Sequence, residues 1–131
     1  MPAIKRLLLC SCENSMEVDT ATAAAALGDV EVKSATRLCT GDIDVAAAAL
    51  GLDGTTLVAC GQMSTLFEEL AEELGAENRL ATVNIRDRAG WTADKTAFAK
   101  QAALLAEAVL RRPETPTKDV VSEGTCLLLG D

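Results

Sequence analysis

The chain has 131 residues, of which 49% are apolar and only 2% aromatic, and its formal net charge is −8. This length predicts one domain, with a core built from Ala, Leu and Val. The negative charge argues against a nucleic-acid groove and against docking on an anionic membrane, because both need basic patches. No stretch approaches the ~20 apolar residues of a membrane span, and no export signal is recognisable at the start.

Two kinds of segment alternate along the chain. Short apolar segments, or segments in which apolar and polar residues alternate, predict strands, and the Ala-rich or amphipathic segments between them predict helices. Asp19 predicts a helix N-cap, the Thr-x-x-Glu capping box at Thr65 predicts another helix start, and Pro113 predicts the end of the last helix. The predicted strands are 4–10, 30–36, 55–60, 80–85 and 125–129, and the predicted helices are 19–27, 42–50, 65–74 and 92–112.

Four strand–helix units in succession predict an α/β fold with three layers: a mostly parallel sheet of about five strands, with helices on both faces. We expect a single domain over 1–131, with its core at 4–112, a linker at 113–123 and a last strand at 124–130. The last apolar run lies close to the end of the chain. This fits either an edge strand or the N-terminal part of a longer protein.

Five cysteines occur together with no histidine. Five is an odd number, and without an export signal the reducing cytoplasm is the expected compartment, where stable disulfides are rare. The absence of histidine removes Ser-His and Cys-His catalysis, so we expect no enzyme activity from this chain by itself. It also leaves thiolates, with carboxylate support, as the available metal ligands.

Four of the five cysteines follow the ends of predicted strands. Cys10 ends the first strand, Cys12 lies just beyond it, Cys39 follows the second strand and Cys60 ends the third. The carboxyl ends of parallel strands share the edge at which such sheets bind ligands. Four thiolates suit a 4Fe–4S cluster or zinc, although a single cysteine more often simply packs in the core. Cys126, inside the last apolar run, is interpreted as a core residue.

The cysteine spacing excludes several familiar sites. It lacks the paired C-x₂-C of a zinc ribbon, the C-x₂-C-x₂-C run of a ferredoxin and the redox C-x-x-C. The C-S-C segment is too tight for an easy internal disulfide. No glycine-rich phosphate loop follows any strand, so nucleotide binding is unsupported.

The segment NIRDRAGW at 84–91 follows the fourth predicted strand and supplies polar and aromatic groups to the same edge. Asn84, Arg86 and Trp91 are candidates to line a cofactor site or to form a docking surface. The alternative is an ordinary Arg–Asp surface pair, with Trp91 covering a helix.

These motifs, in this order, carry a resemblance to a known family: LLLCSCENSMEVD, TRLCTGDID, LVACGQMSTLFEE and VNIRDRAGW. The chain resembles, over residues 4–112, the N-terminal domain of the heterodisulfide-reductase-A family and the front part of related bacterial polyferredoxin-like 4Fe–4S proteins. The resemblance implies an iron–sulfur front module of a longer redox protein, whose later domains house flavin and further clusters. By position, Cys10, Cys12, Cys39 and Cys60 match the cysteine-bearing motifs of the family.

Two positions depart from the family pattern, and both adjoin the candidate ligands. Glu13 stands where the family usually has Gly, and Gly61-Gln62 stands where Ser-Pro or Thr-Gln is common. We expect the carboxylate of Glu13 to lower the potential of a cluster, which the reduction potential of a Glu13→Gly variant would measure.

The sequence thus favours an electron-transfer module that holds one 4Fe–4S cluster and works with other iron–sulfur or flavin domains or subunits. Two other functions stay open. One is a cluster-free interaction domain that docks through Arg86, Arg88 and Trp91. The other is a thiol-based redox sensor that uses Cys10 or Cys60 as a thiolate.

Overall fold

The computed structural model of the protein describes residues 3–110 together with Val121 and Gly124. In this part of the chain, strands and helices alternate as the hydrophobic pattern predicts. A single 3-10 turn, Glu77–Arg79, precedes the last strand. The strands are β1 (Ile4–Cys10), β2 (Glu31–Ala35), β3 (Thr55–Cys60) and β4 (Leu80–Asn84), and the helices are α1 (Thr20–Leu27), α2 (Ile43–Leu50), α3 (Ser64–Glu73), α4 (Ile85–Ala89) and α5 (Ala97–Leu110).

The four strands form one parallel sheet in the order β2-β1-β3-β4. The chain leaves β1 for β2 on one side and then crosses back to β3 on the other. This reversal makes the carboxyl ends of β1 and β3 the topological switch point of the sheet, the place where open α/β sheets bind their ligands.

Alternate residues of the central strand face opposite layers of helices, because side chains along a strand alternate in direction. Leu7 and Leu9 pack with residues of α1, α4 and α5, whereas Leu8 and Cys10 pack with residues of α2 and α3. β1 is therefore covered on both faces, as parallel sheets require. This arrangement confirms the predicted three-layer α/β fold, and Cys10 faces the α2/α3 layer.

The helix ends follow local sequence only in part. Asp19 caps α1 by accepting a hydrogen bond from the Thr22 N–H at 2.9 Å, as predicted. The capping box predicted at Thr65 is wrong, because α3 begins one residue earlier, at Ser64. Met63 precedes that helix without a side-chain capping bond. Thr65 consequently lies inside the first turn, where its hydroxyl is not in the capping position.

Three other predictions need correction or lie outside the described residues. The segment 84–91, for which no helix is predicted, contains the short helix α4. The last helix does not begin at 92, because Asp94 accepts a hydrogen bond from the Thr96 N–H at 2.9 Å and holds a turn before α5. Four strands are present among the described residues. The predicted linker at 113–123 falls largely outside those residues, and so do Cys126 and the fifth strand at 124–130, except for Gly124.

Two contacts fix the loops that follow β1 and β4. The buried Gln101 side chain of α5 donates to the carbonyl oxygens of Glu17, at 3.0 Å, and Ala89, at 3.3 Å. Met16 packs against Gly90, where an added β-carbon would overlap the Met16 sulfur and lie 2.9 Å from the Arg86 carbonyl oxygen. Gly90 is therefore needed for this close approach.

None of the described helices has the length and apolar character needed to cross a membrane.

We expect Gly90→Ala to destabilise the fold by about 1–3 kcal/mol, because the added methyl group overpacks the contact between Met16 and α4. Urea unfolding followed by circular dichroism measures this change. Gly51→Ala is the matched control, since Gly51 has helical angles and an added β-carbon there meets its nearest neighbour at 3.4 Å. Equal stability of the two variants would contradict the close approach at Gly90.

Candidate functional site

Four cysteines line one cavity of about 390 Å³ at the carboxyl edge of the sheet. Cys10 ends β1 and Cys60 ends β3, and the two lie side by side because the residues before them, Leu9 and Ala59, are paired. Cys12 comes from the loop after β1 and Cys39 from the turn before α2, and all four are free thiols. Three separate chain segments thus deliver four sulfur atoms to the topological switch point.

Cys10 and Cys60 form a buried pair, with 1% and 6% of their surfaces exposed. Cys10 accepts hydrogen bonds from the Cys60 thiol and from the backbone N–H groups of Leu38 and Cys12, the last at 3.4 Å. The bond from Cys60 lowers the pKa of Cys10 from 9.0 to about 6, although burial opposes this shift. The pKa of Cys60 is raised, first because Cys60 donates that bond and second because it is buried. The hydrogen bond therefore favours the thiolate form of Cys10 over that of Cys60.

The loop that carries Cys12 has an unusual backbone. Cys12, Glu13 and Asn14 have positive φ angles of 52°, 58° and 59°. The left-handed region costs a residue with a side chain roughly 1–2 kcal/mol, and glycine adopts it freely. Hydrogen bonds from the Glu13 N–H to the Thr36 carbonyl, at 2.6 Å, and from the Ser15 N–H to the Cys12 carbonyl, at 3.1 Å, stabilise the loop. Glycine at position 13 would therefore adopt this backbone without the cost that Glu13 pays.

The turn that carries Cys39 is held by Asp42. Its carboxylate accepts hydrogen bonds from the backbone N–H groups of Arg37, at 2.8 Å, and Thr36, at 3.1 Å. These bonds, the one from Arg37 first, lower the pKa of Asp42, which stays ionised. The Arg37 side chain lies against Gly41 and lines the cavity. The turn therefore places Cys39 and a guanidinium group on the same wall.

Arg86 connects the thiols to the protein surface. Its guanidinium donates a hydrogen bond to the Cys12 sulfur and lies 4.6 Å from the centre of the Trp91 ring. Its aliphatic stem packs over Gly61, where an added β-carbon would lie 3.1 Å from the Arg86 Cδ. Gly61 thus leaves room for this arginine.

The structure brings one of the three predicted cofactor-binding residues to the cysteines. Arg86 lines their cavity, whereas Asn84 caps α4 by accepting from the Asp87 N–H at 3.0 Å. Asn84 also lines a neighbouring cavity of about 180 Å³ that includes Cys60. Trp91 is 70% exposed and supports Arg86 from outside, while its indole N–H donates to Asp87 at 3.2 Å. Arg86 stacks on Trp91, and its charge also contributes to lowering the pKa of Asp87, after the hydrogen bonds from Asn84 and Trp91.

Sequence reasoning missed two residues of the site. Arg37 lies two positions before Cys39, inside the TRLCTGDID motif, and this proximity was the available signal. Asp42 is the N-cap residue of α2, as the predicted helix start implies, but its carboxylate bonds to the preceding turn instead of capping the helix. No local pattern distinguishes these two uses of an aspartate.

The cavity offers four thiols as possible ligands, together with oxygen atoms of other residues. Besides the cysteines, its lining consists of Glu13, Ser15, Thr36, Arg37, Thr40 and Arg86. Within 3–110, Val121 and Gly124, no three or more Cys, Asp or Glu side chains are grouped so that they could hold a metal ion.

A larger open groove of about 500 Å³ lies between α3 and β4, away from the cysteines. Its lining includes the acidic residues Glu68, Glu69, Glu72 and Glu77.

No protein-family model, no curated protein and no solved structure matches the chain. The resemblance to the heterodisulfide-reductase-A family therefore stays a prediction that rests on the motifs themselves. Function has to be inferred from the geometry of the thiols and their surroundings.

We expect Glu13→Gly to stabilise the fold by about 1 kcal/mol, because glycine relieves the left-handed backbone at this position. Glu13→Gln is the matched control, since it removes the charge but keeps a side chain at φ 58°. Chemical unfolding of both variants at one ionic strength measures the difference. Equal stabilities would mean that the backbone at position 13 is not strained.

We expect the iron-free protein to show a thiolate titration near pH 6, followed by ultraviolet absorbance. In Cys60→Ala the pKa of the Cys10 thiol should rise toward 9.0, because the main hydrogen bond to Cys10 is lost. In Cys39→Ala that pKa should stay near 6. Because the folded pKa lies below the unfolded one, the thiolate stabilises the fold as pH rises from 6 to 9. That stability is lost as pH falls through 6. A wild-type protein whose first thiol titrates near pH 9 would contradict the hydrogen bond between Cys10 and Cys60.

Proposed function

We propose that the domain is an iron–sulfur electron-transfer module in which Cys10, Cys12, Cys39 and Cys60 hold one 4Fe–4S cluster. The observation that carries the proposal is the single cavity lined by all four thiols. Four cysteine thiolates are the usual ligands of such a cluster. Each would bind a different iron, so the four sulfurs need not converge as ligands of a single ion do. The cavity also lies at the topological switch point, where parallel α/β sheets bind ligands.

The surroundings of the thiols fit a bound group of negative charge. The guanidinium of Arg86 donates to Cys12, and Arg37 also lines the cavity. Backbone N–H groups of Leu38 and Cys12 donate to the Cys10 sulfur, and that of Gly61 donates to Cys60. Such hydrogen bonds and charges are the means by which a protein sets the potential of a cluster.

The chemistry supplied by a bound cluster is one-electron transfer, and the residues of the chain would position and tune it. Burial of Cys10 and Cys60 would exclude water from the inner side of the cavity. The carboxylate of Glu13 lines the same cavity, which supports the expectation that it lowers the potential. The partners would be other iron–sulfur or flavin domains or subunits in the cytoplasm, and the chain would not be an enzyme by itself.

A second candidate function, a thiol-based redox sensor, rests on the Cys10–Cys60 pair. The hydrogen bond from Cys60 lowers the pKa of Cys10 and so favours its thiolate, the form that reacts with peroxides. Attack on the O–O bond of hydrogen peroxide would give a sulfenic acid at Cys10 and release hydroxide. The Cys60 sulfur would then attack the Cys10 sulfur, breaking its S–O bond and releasing water, to form a disulfide. The burial of both residues favours the cluster over this sensor, because oxidants reach exposed thiolates most easily.

Anaerobic reconstitution of the full chain with iron and sulfide tests the proposal. We expect about four irons and about four sulfides per chain, with a broad absorbance band that disappears on reduction. Serine variants of Cys10, Cys12, Cys39 or Cys60 should each lose most of this iron. Cys126→Ser is the matched control and should retain it.

A folded protein that takes up no iron under these conditions would overturn the cluster. In that case, a peroxide-induced disulfide found by mass spectrometry between Cys10 and Cys60 would support the sensor. Full iron content in the Cys39→Ser variant would remove Cys39 from the ligand set and contradict a site of four cysteines.

A further inference from the structure

The open groove between α3 and β4 carries charge of a single sign. Glu68, Glu69 and Glu72 line it from α3, and Glu77 lines it from the turn before β4. No lysine or arginine belongs to its described lining, and none of these carboxylates forms an ion pair within residues 3–110. The groove, of about 500 Å³, therefore concentrates uncompensated negative charge on one strip of the surface.

The arrangement of these carboxylates suits an extended chain of cations better than one metal ion. Within 3–110, Val121 and Gly124, no three carboxylates or thiols are grouped so that they could hold a metal. Glu68 and Glu72 are one helical turn apart, a rise of about 6 Å along α3. Alternate side chains of a β-strand are about 7 Å apart, so a strand beside α3 would present its side chains at nearly the same spacing.

The floor of the groove is a strand with an open edge. Among the described residues, β4 pairs with β3 alone. Along such an edge, every second residue points its N–H and C=O groups away from the sheet, where an extended segment can bond to them. Leu80 packs in the same core layer as Phe67 and Ala71 of α3. A strand added beside β4 would thus point alternate side chains into the α3 layer, toward the carboxylates.

The predicted fifth strand of the chain itself fits this edge poorly. α5 packs with α1 on the face of the sheet opposite to α3. Because α1 carries the chain from β1 to β2, a right-handed crossover through α5 to another parallel strand also leads toward β2, not outward past β4. The segment 124–130 also contains no lysine or arginine to meet the carboxylates.

A second copy of the chain fits the edge no better. A symmetric dimer that pairs two β4 edges in one continuous sheet has its two-fold axis perpendicular to the sheet, so both α3 helices lie on the same face. Their acidic sides would then face each other, and like charges across an interface oppose association. The groove therefore selects a partner of opposite charge.

We propose that the open edge of β4 binds an extended, basic segment of another protein, which adds to the sheet beside β4 and carries lysine or arginine at alternate positions. Main-chain hydrogen bonds to β4 would supply affinity, and the carboxylates of α3 would select the charge of the segment. The groove shares no lining residue with the cysteine cavity, so this interaction goes beyond the proposed electron-transfer function and does not require iron.

Nuclear magnetic resonance titration of the isotope-labelled full chain with three synthetic peptides tests the proposal. The probe alternates lysine with valine over about seven residues, the length of an ordinary strand. The second peptide has glutamate in place of lysine, and the third keeps lysine and valine but has every backbone nitrogen methylated. We expect the probe to perturb the amides of 80–84 and to slow exchange of the outward-facing ones. The other two should bind at least about tenfold more weakly, because they lack the matching charge or the main-chain donors.

Paired substitutions test the role of the carboxylates. Glu68→Gln combined with Glu72→Gln should weaken binding of the probe about fivefold, since two ion pairs at the surface are lost. Glu17→Gln combined with Glu73→Gln is the matched control. It removes the same charge from exposed residues that do not line the groove, and should change the affinity less than about twofold. Equal weakening by the two pairs would overturn the proposal.

Four further results would overturn it as well. They are equal binding of the methylated peptide, perturbation of residues other than those of α3 and β4, protection of the outward-facing β4 amides in the full chain without peptide, and shifts at 80–84 that grow with protein concentration alone. The third would assign the edge to the chain itself, and the fourth to a second copy. Binding of the probe by a chain that takes up no iron would overturn the cluster alone.

Discussion

The pairing of β1 with β3 is the constraint on which the site depends. The register that sets Leu9 opposite Ala59 places Cys10 beside Cys60 on the same face of the sheet. A slip of one residue would turn one of these thiols toward the other layer of helices, because side chains along a strand alternate in direction. The buried leucines of β1 oppose such a slip, since neighbouring ones belong to different core layers.

The loops add a second level of organisation. Cys12 and Cys39 depend on turns that are tied to each other through the bond from the Glu13 N–H to the Thr36 carbonyl. Gln101 in α5 holds the segment after β1 and the end of α4 together. Much of the hydrogen bonding and helix packing around the cavity therefore serves to position two short loops.

The parts of the fold that the sequence predicts best are those set by hydrophobic burial. The bounds of β1 and β3 are confirmed to the residue, because both are continuous apolar runs at the centre of the sheet. The shared edge of the cysteines is confirmed as well, because it follows from parallel topology alone. The prediction was wrong where tertiary contacts decide, as at the start of α5 and in the segment that forms α4. The contact between Arg86 and Cys12 was hidden for the same reason, since its partners are 74 positions apart. The left-handed angles of Cys12, Glu13 and Asn14 gave no signal either, because none of these residues is glycine.

The most direct test of the proposed cluster is Mössbauer spectroscopy of the full chain after anaerobic reconstitution with isotopically enriched iron. We predict the spectrum of a single 4Fe–4S cluster with four thiolate ligands in the wild type. That spectrum should be lost or altered in Cys39→Ser, the variant whose cysteine comes from a turn rather than from the paired ends of β1 and β3. A spectrum of mononuclear iron alone would contradict the proposed cluster. So would a 4Fe–4S spectrum that stays the same when each of the four cysteines is replaced in turn.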